Sequence, residues 1–390
     1  MQLDVARKRL TAPPQKDNRT MQRTTRNRED CLFYWKNSGV VPFACWYGCA
    51  GLLKMYDITG DKTLLPVLKK EIANSLDLEL TYRVHLEELY PNLPAEQTLP
   101  LIASDYVGGR GSYFYPVMAD YSRITGDPAW RDLAIKVAYA RILEGKLDGG
   151  TADILMTAPF AALSKDFDEN RLIREIRSIY MNGAAKELLN GDFRQIRSYA
   201  EMMTPRRPDA ITPVWAKEIP YPRFWRFNAG KEFTATEFMR YRPELYSLSN
   251  GTLRLHFNRK KWYAQTINFD SARIAFQPGS WKFRGKVKLN EDTVNAAFHF
   301  YFSNFKDTRA VVMLPVISGA APRVLSRTPA LPRIVSHTVS RPDKDGFCSV
   351  EAEFNVRTPS VGYLLFRGTL AAEKERGQVE VRELEFKPVE

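Results

Sequence analysis

Two near-copies, Tyr56-Asp57-Ile58-Thr59-Gly60-Asp61 and Tyr121-Ser122-Arg123-Ile124-Thr125-Gly126-Asp127, stand at the same place in two successive stretches of helical pattern. Each follows an apolar, aromatic-rich segment expected to be helical, at 41–55 and 111–121. Each precedes a charged amphipathic segment, at 62–75 and 128–144. Thr-Gly-Asp suits such a corner, because Gly takes positive φ past one helix and Asp caps the next. Pro128 falls in the first turn of its helix, where a missing N–H costs little. A repeated hairpin predicts an array in which each unit buries a face against its neighbour.

A third hairpin is expected with a degenerate corner. The apolar run 154–163 leads through Ser164-Lys165-Asp166-Phe167-Asp168 to a helix over 169–181. Leu172, Ile173, Ile176 and Ile179 line one side of that helix at 3.6-residue spacing, and Arg171, Arg174, Glu175 and Arg177 fall elsewhere. A short further helix is expected at 184–189 or 193–203. Within each pair the first helix is aromatic and the second charged, as in an inner and an outer ring. A generic helical-repeat scaffold has the same period.

The corners, with Phe43-Ala44-Cys45-Trp46-Tyr47-Gly48 and Gly111-Ser112-Tyr113-Phe114-Tyr115-Pro116, resemble the six-hairpin (α/α) toroids of glycoside hydrolases and polysaccharide lyases. The resemblance spans about residues 31–205. It implies a partial toroid, with three or four hairpins where a closed toroid has six.

The N-terminal thirty residues, with Arg7-Lys8-Arg9, are polar and basic and lack the apolar core of a secretory signal. The resemblance implies export, so the expected location is secreted or periplasmic if the chain begins upstream, and cytoplasmic otherwise. No run approaches the ~20 apolar residues that cross a bilayer. Cys31, Cys45, Cys49 and Cys348 form neither a disulfide framework nor a metal motif. No metal and no cofactor is expected. Net charge is +4 over 1–30, −2 over 31–209 and +10 over 210–390, so the C-terminal half carries most of the excess of +12. A basic face favours an anionic partner.

At Thr204-Pro205-Arg206-Arg207-Pro208-Asp209 the composition changes, and Pro213, Pro220 and Pro222 follow. Beyond this the period drops from 3.6 to 2: residues 253–257, 281–289 and 379–386 alternate apolar and polar, as strands with one wet face do. About ten such runs, separated by turns such as Ser249-Asn250-Gly251 and Lys344-Asp345-Gly346, predict an antiparallel β-sandwich, jelly-roll-like. Trp262-Tyr263-Ala264-Gln265, the Pro-Gly-Ser-Trp turn ending at Trp281, and the closing segment 377–386 resemble carbohydrate-binding modules of polysaccharide-degrading enzymes. The expected fold is therefore multidomain α + β. A basic arm (1–30) precedes an α/α hairpin domain (31–205), a Pro-rich linker (206–229) and a sandwich (230–390).

In an inner/outer array the loops entering the inner helices open on one face. Asp105, Arg110, Tyr113 and Asp153 are the candidate catalytic residues there, with Asp148 beside them and His85 near Glu87 and Glu88. Paired carboxylates suit hydrolysis, whereas a Tyr beside Arg or Asn suits β-elimination on a uronate. Each Asp equally suits capping a helix or turn. Tyr34, Trp35, Asn37, Trp46 and Tyr106, with Lys36, are candidate substrate contacts, as are Trp262 and Tyr263 in the sandwich. Tyr241 is a further stacking candidate, Arg259, Lys260 and Lys261 are candidate cations, and Trp281 reads as core. The expected function is polysaccharide processing on an acidic glycan by a hydrolase or lyase. The alternative is a non-catalytic carbohydrate-binding or scaffold protein. The expected partner is a polysaccharide or oligosaccharide, with nucleic acid and membrane not favoured.

Overall fold

The structure, a computed structural model, describes residues 42–82, 89–93, 114–143, 168–198, 220–228, 245–261, 264–289, 294–303, 309–317, 319–326 and 332–389. The chain divides into two compact units. One comprises Met1–Val84, Glu96–Ile173 and Met203–Val214, and the other His85–Ala95, Arg174–Met202 and Trp215–Glu390.

In the first unit α1 (Pro42–Thr59) packs on α2 (Leu64–Tyr82), α3 (Phe114–Thr125) on α4 (Pro128–Leu143), and α1 on α3. Leu52, Leu53, Leu68 and Ile72 are buried in the first hairpin, and Tyr115, Met118, Ala134 and Val137 in the second. The two corners share the same backbone turn and the same Asp cap. Gly60 and Gly126 take φ of 63° and 73°. Their N–H groups donate to Tyr56 O and Ser122 O at 2.8 and 2.9 Å. Asp61 Oδ1 accepts from Thr63 N, and Asp127 Oδ1 from Ala129 N, each at 3.0 Å. An Arg123–Asp57 pair at 3.2 Å links the hairpins.

The helical toroid is overturned by these elements. The described residues are mostly antiparallel sheet, 45% strand against 28% helix, with five short helices. Among the described residues the two hairpins are followed by α5 (Glu169–Gly183), capped by Asp168 Oδ1 accepting from Arg171 N at 2.8 Å. The first arm expected for a third hairpin, 154–163, lies outside the described residues. From Arg174 onward α5 belongs to the second unit. Tyr180 meets Tyr90 edge-on at 5.5 Å, and Arg177 donates to Pro359 O at 3.3 Å. A helical period reveals an apolar stripe but not the surface that will cover it. The further helix expected at 184–189 or 193–203 is also corrected. Described residues 184–198 run as turns and extended chain, and Asn190 and Phe193 take φ of 50° and 53°, which a right-handed helix excludes.

The strands of the second unit begin with β1 (Ile196–Ser198), β2 (Pro220–Pro222), β3 (Trp225–Asn228), β4 (Tyr246–Ser249) and β5 (Thr252–Asn258). Next come β6 (Thr266–Ser271), β7 (Ile274–Phe276), β8 (Gly279–Leu289), β9 (Val294–Ser303) and β10 (Arg309–Pro315). The last are β11 (Arg323–Ser326), β12 (Arg333–Val339), β13 (Cys348–Val356), β14 (Ser360–Leu370) and β15 (Arg376–Pro388). Sheet I has the order β11-β10-β9-β14-β6-β3, with β7 beside β14. Sheet II has the order β12-β13-β8-β15-β5-β4, and β1 pairs with β2. All of these ladders are antiparallel.

Phenylalanines join the sheets. Phe298, Phe300 and Phe302 of β9 meet Phe283 of β8, Phe354 of β13 and Phe386 of β15, with ring centroids 4.8–6.2 Å apart. Edge-on and tilted ring pairs of this kind add to the gain from burying their apolar area.

The segment 184–195 straps one end of the sandwich. Ala185 N donates to Arg273 O and Ala185 O accepts from Ala275 N, both beside sheet I. Leu188 N donates to Phe386 O, and Gly191 O accepts from Leu384 N, both on β15 of sheet II. Asn190 side-chain atoms bond Gln195 N, Gln195 O and Arg223 O at 2.8–2.9 Å. Trp225 Nε1 donates to Asn190 O at 3.0 Å, and the Trp225 ring stacks on Phe269 at 4.6 Å. Thus residues preceding the sandwich in sequence close its core.

Candidate functional site

The outer face of sheet I differs from an ordinary solvated sheet face. Because the even-numbered Phe298, Phe300 and Phe302 point inward, His299 and Tyr301 point outward. Register then sets three rows. Tyr301 lies opposite Val311 and Tyr363. His299 lies opposite Met313 and Leu365, Leu365 opposite Asp270, and Asp270 opposite Arg226. Ala297 lies opposite Arg367, and Arg367 opposite Asn268.

The Tyr301 and Tyr363 rings stack at 4.5 Å with planes 8° apart. Arg273 lies over Tyr363 at 4.1 Å. Tyr363 is therefore sandwiched on both ring faces and offers its edge. Burial pushes its phenol up, against the pull of Arg273, so it stays a hydrogen-bond donor. Arg226 grips Asp270 Oδ2 through Nη2 at 2.8 Å and Nε at 3.2 Å. Asp270 is 1% exposed. Arg367 Nε donates to Asn268 Oδ1 at 2.8 Å. His299 is 4% exposed, and burial, then Arg367, pulls it down to about 4. At neutral pH its imidazole is uncharged. Among the described residues, the guanidinium groups of Arg226 on β3, Arg367 on β14 and Arg273 in the β6–β7 connection thus share this face with the Asp270 carboxylate and with half-buried tyrosines.

The outer face of sheet II is laced with ion pairs: Lys282 and Arg284 with Glu351, Lys286 with Glu383, and Arg254 with Glu380. A groove of about 640 Å3 lies where β15 bulges between Arg382 and Glu385, lined by Asn190, Asp192, Gln195, Arg284 and Glu383 among others. Its charged side chains are largely engaged with one another, and no group of His, Cys, Asp and Glu among the described residues could hold a metal.

The residues singled out in the sequence fall elsewhere. Asp105, Arg110, Tyr113, Asp153, His85, Tyr34, Trp35, Asn37, Tyr106, Trp262 and Tyr263 lie outside the described residues, as do Lys36, Glu87, Glu88, Asp148 and Tyr241. Trp46 lies within α1, with its side chain outside description. Of the proposed cations, Arg259 donates to the carbonyls of Lys374 and Ala371, and Lys260 pairs with Glu375 at 3.6 Å. Both pin the β5–β6 turn to the β14–β15 turn. Trp281 is core, 2% exposed, with Nε1 donating to Gln277 O.

Sequence reasoning missed the sheet I face. A signal was present: the outward positions of β9 and β14 carry Ala297, His299, Tyr301, Tyr363 and Leu365 where β8 carries Lys282, Arg284, Lys286 and Lys288. Strands without alternating charge have an outer face built for something other than water.

No protein-family model and no curated protein matches the chain. Among solved structures, a glycosyl hydrolase family protein from Mycobacterium fortuitum aligns over 42% of this chain and 90% of its own, at 10% identity and a TM-score of 0.22. TmCBM61 in complex with beta-1,4-galactotriose aligns over 41% of this chain and 88% of its own, at 9% identity and a TM-score of 0.14. Overlaps of this size fall short of a common fold.

Proposed function

We propose that this protein binds an acidic oligosaccharide on the outer face of sheet I. The observation that carries it is the concentration of Arg226, Arg273 and Arg367 around Tyr301, Tyr363 and Asn268, with Asp270 as the counter-charge. Guanidinium forks match carboxylates and vicinal hydroxyls, and strands hold Arg226 and Arg367 without the ordering cost that a loop incurs. The covered faces of Tyr363 favour recognition through hydroxyl edges over broad ring stacking, which suits a polar, charged sugar. The basic excess of the C-terminal half supports the same choice. Hydrolysis or elimination is proposed to rest with Asp105, Arg110, Tyr113, Asp153 and His85. Without them the same face serves a non-catalytic binding protein.

Calorimetric titration of the full chain with trigalacturonate and with neutral galactotriose tests this. Trigalacturonate is expected to bind more tightly, with affinity that falls as salt rises. Arg367→Ala should weaken it about tenfold, as loss of one charge-assisted contact does. Arg284→Ala on sheet II should leave it unchanged. Equal affinity for both sugars, or none for either, overturns the proposal.

A further inference from the structure

Three Asn-Gly pairs stand in the chain: Asn182-Gly183, Asn190-Gly191 and Asn250-Gly251. Each carries the same latent chemistry. The side-chain amide carbon of asparagine is an electrophile within five-membered-ring reach of the next residue's nitrogen, and glycine shields that nitrogen with no Cβ. The fold treats the three pairs differently. Asn182 lies in the last turn of α5, where its Nδ2 donates to Ser178 Oγ at 3.2 Å. Gly183 is buried there, and the helix directs its N–H to the carbonyl four residues earlier. Asn190 is 7% exposed. Its Oδ1 accepts from Gln195 N at 2.9 Å, and its Nδ2 donates to Gln195 O and Arg223 O at 2.8 and 2.9 Å. Attack at either pair requires local structure to open first. Asn250-Gly251 forms the tip of the β4–β5 hairpin, with φ of 49° and 72°, the two positive values of a type I′ turn. Asn250 is exposed, and the ladder closes behind it at Ser249 opposite Thr252, so these two residues can move while the strands stay paired.

We infer that Asn250 is a modification site, the Asn-Gly pair that deamidates in the folded protein. The Gly251 nitrogen attacks Asn250 Cγ, loses its proton to solvent, and expels the side-chain nitrogen as ammonia. Water then opens the cyclic imide at either carbonyl. The product is aspartate, or an isoaspartyl link in which the backbone runs through the side-chain carbon. One water enters and one ammonia leaves, so solvent is the only co-reactant. The modification also reaches the strap at 184–195. A Cβ on Gly251 would lie 2.9 Å from Asp192 O and 3.6 Å from Arg194 Nε, so the turn rests against that segment. The isoaspartyl link adds one backbone carbon at this close approach and pushes on the strap. The new carboxylate competes for Arg194, which stands 3.9 Å from Asp192 Oδ2.

The full chain is aged at mildly alkaline pH, folded and in guanidinium chloride, and the peptides carrying the three pairs are quantified by mass spectrometry. In denaturant the three are expected to convert at similar rates. In the folded chain Asn250 should convert at least about tenfold faster than Asn182 or Asn190, whose hydrogen bonds must open before attack. The folded sample should also gain a cation-exchange fraction one positive charge poorer than the +12 chain, and Asn250→Gln should not form it. In that fraction the Gln195 amide, held by Asn190 Oδ1, should exchange its hydrogen faster than in fresh protein. If Asn250→Gln does not fold, the wild-type peptide ratios decide. Equal conversion of Asn190 or Asn182 in the folded chain, or an intact Asn250 while the denatured chain converts, overturns the assignment. Unchanged Gln195 exchange in the converted fraction overturns the link to the strap.

Discussion

The two outward faces of the sandwich come from sheets of similar size but solve opposite problems. On sheet II, Arg284 and Glu351 are 53% and 45% exposed and 3.7 Å apart, a pairing that water screens. On sheet I, the Arg226 side chain is 24% exposed and that of Asp270 2%, at 2.8 Å. The first face keeps the sheet wet. The second holds charges in place where water is scarce, so each electrostatic contact there acts more strongly and each loss costs more. Rigid, partly dry charge is what a recognition surface needs, and solvated charge is what an idle one needs.

The sharpest way to break this comparison is to delete one cation from each face. Arg226→Ala leaves the Asp270 carboxylate buried without its cation, and a loss of roughly 3–5 kcal/mol is expected in urea unfolding. Arg284→Ala should stay within about 0.5 kcal/mol. Equal losses would mean that the faces are electrostatically alike.

A smaller effect is expected from adding one methyl group under each face. A Cβ on Gly362 of β14 would meet Tyr301 O at 1.7 Å, backbone that carries the tyrosine stack and cannot swing aside. A Cβ on Gly285 of β8 meets the tip of Leu384 at 2.6 Å, which can turn. Gly362→Ala should therefore cost about 3 kcal/mol and Gly285→Ala about 1 kcal/mol. A reversed order in thermal or urea unfolding would place the tighter packing under sheet II.

The gentlest comparison uses pH. His299 in sheet I is held down to about 4, and His256 in sheet II is lowered less completely, by burial and then Arg254, beside Ser247 Oγ at 3.2 Å. The unfolded chain gains a proton below about pH 6.5 and folded His299 does not until about 4, so stability falls across that window as pH drops. The fall attributable to His299 is at most of order 3 kcal/mol, and it should vanish in His299→Gln. His256→Gln should remove a smaller part of the fall. Identical pH profiles for wild type and His299→Gln would show that the imidazole is not held neutral by the fold.

Local chemistry was legible in the chain alone wherever neighbours in sequence decide the outcome. The Thr-Gly-Asp corners are such a case, since Gly60 and Gly126 supply positive φ and Asp61 and Asp127 cap within two residues. The alternation of 253–257, 281–289 and 379–386 is another, matching inward and outward positions of β5, β8 and β15. The toroid expectation failed because an apolar stripe such as Leu172, Ile176 and Tyr180 states that a helix must be covered and leaves the cover unnamed. The strap at 184–195 and the sheet I face depend wholly on tertiary structure. Asn190 finds Arg223 and Trp225 across more than thirty residues, and Arg226, Asp270, His299 and Arg367 converge from four strands through register. Period and composition carry short-range steric preference, whereas which distant side chains share a face is decided only when the ladders pair and the Phe-lined core excludes water between the sheets.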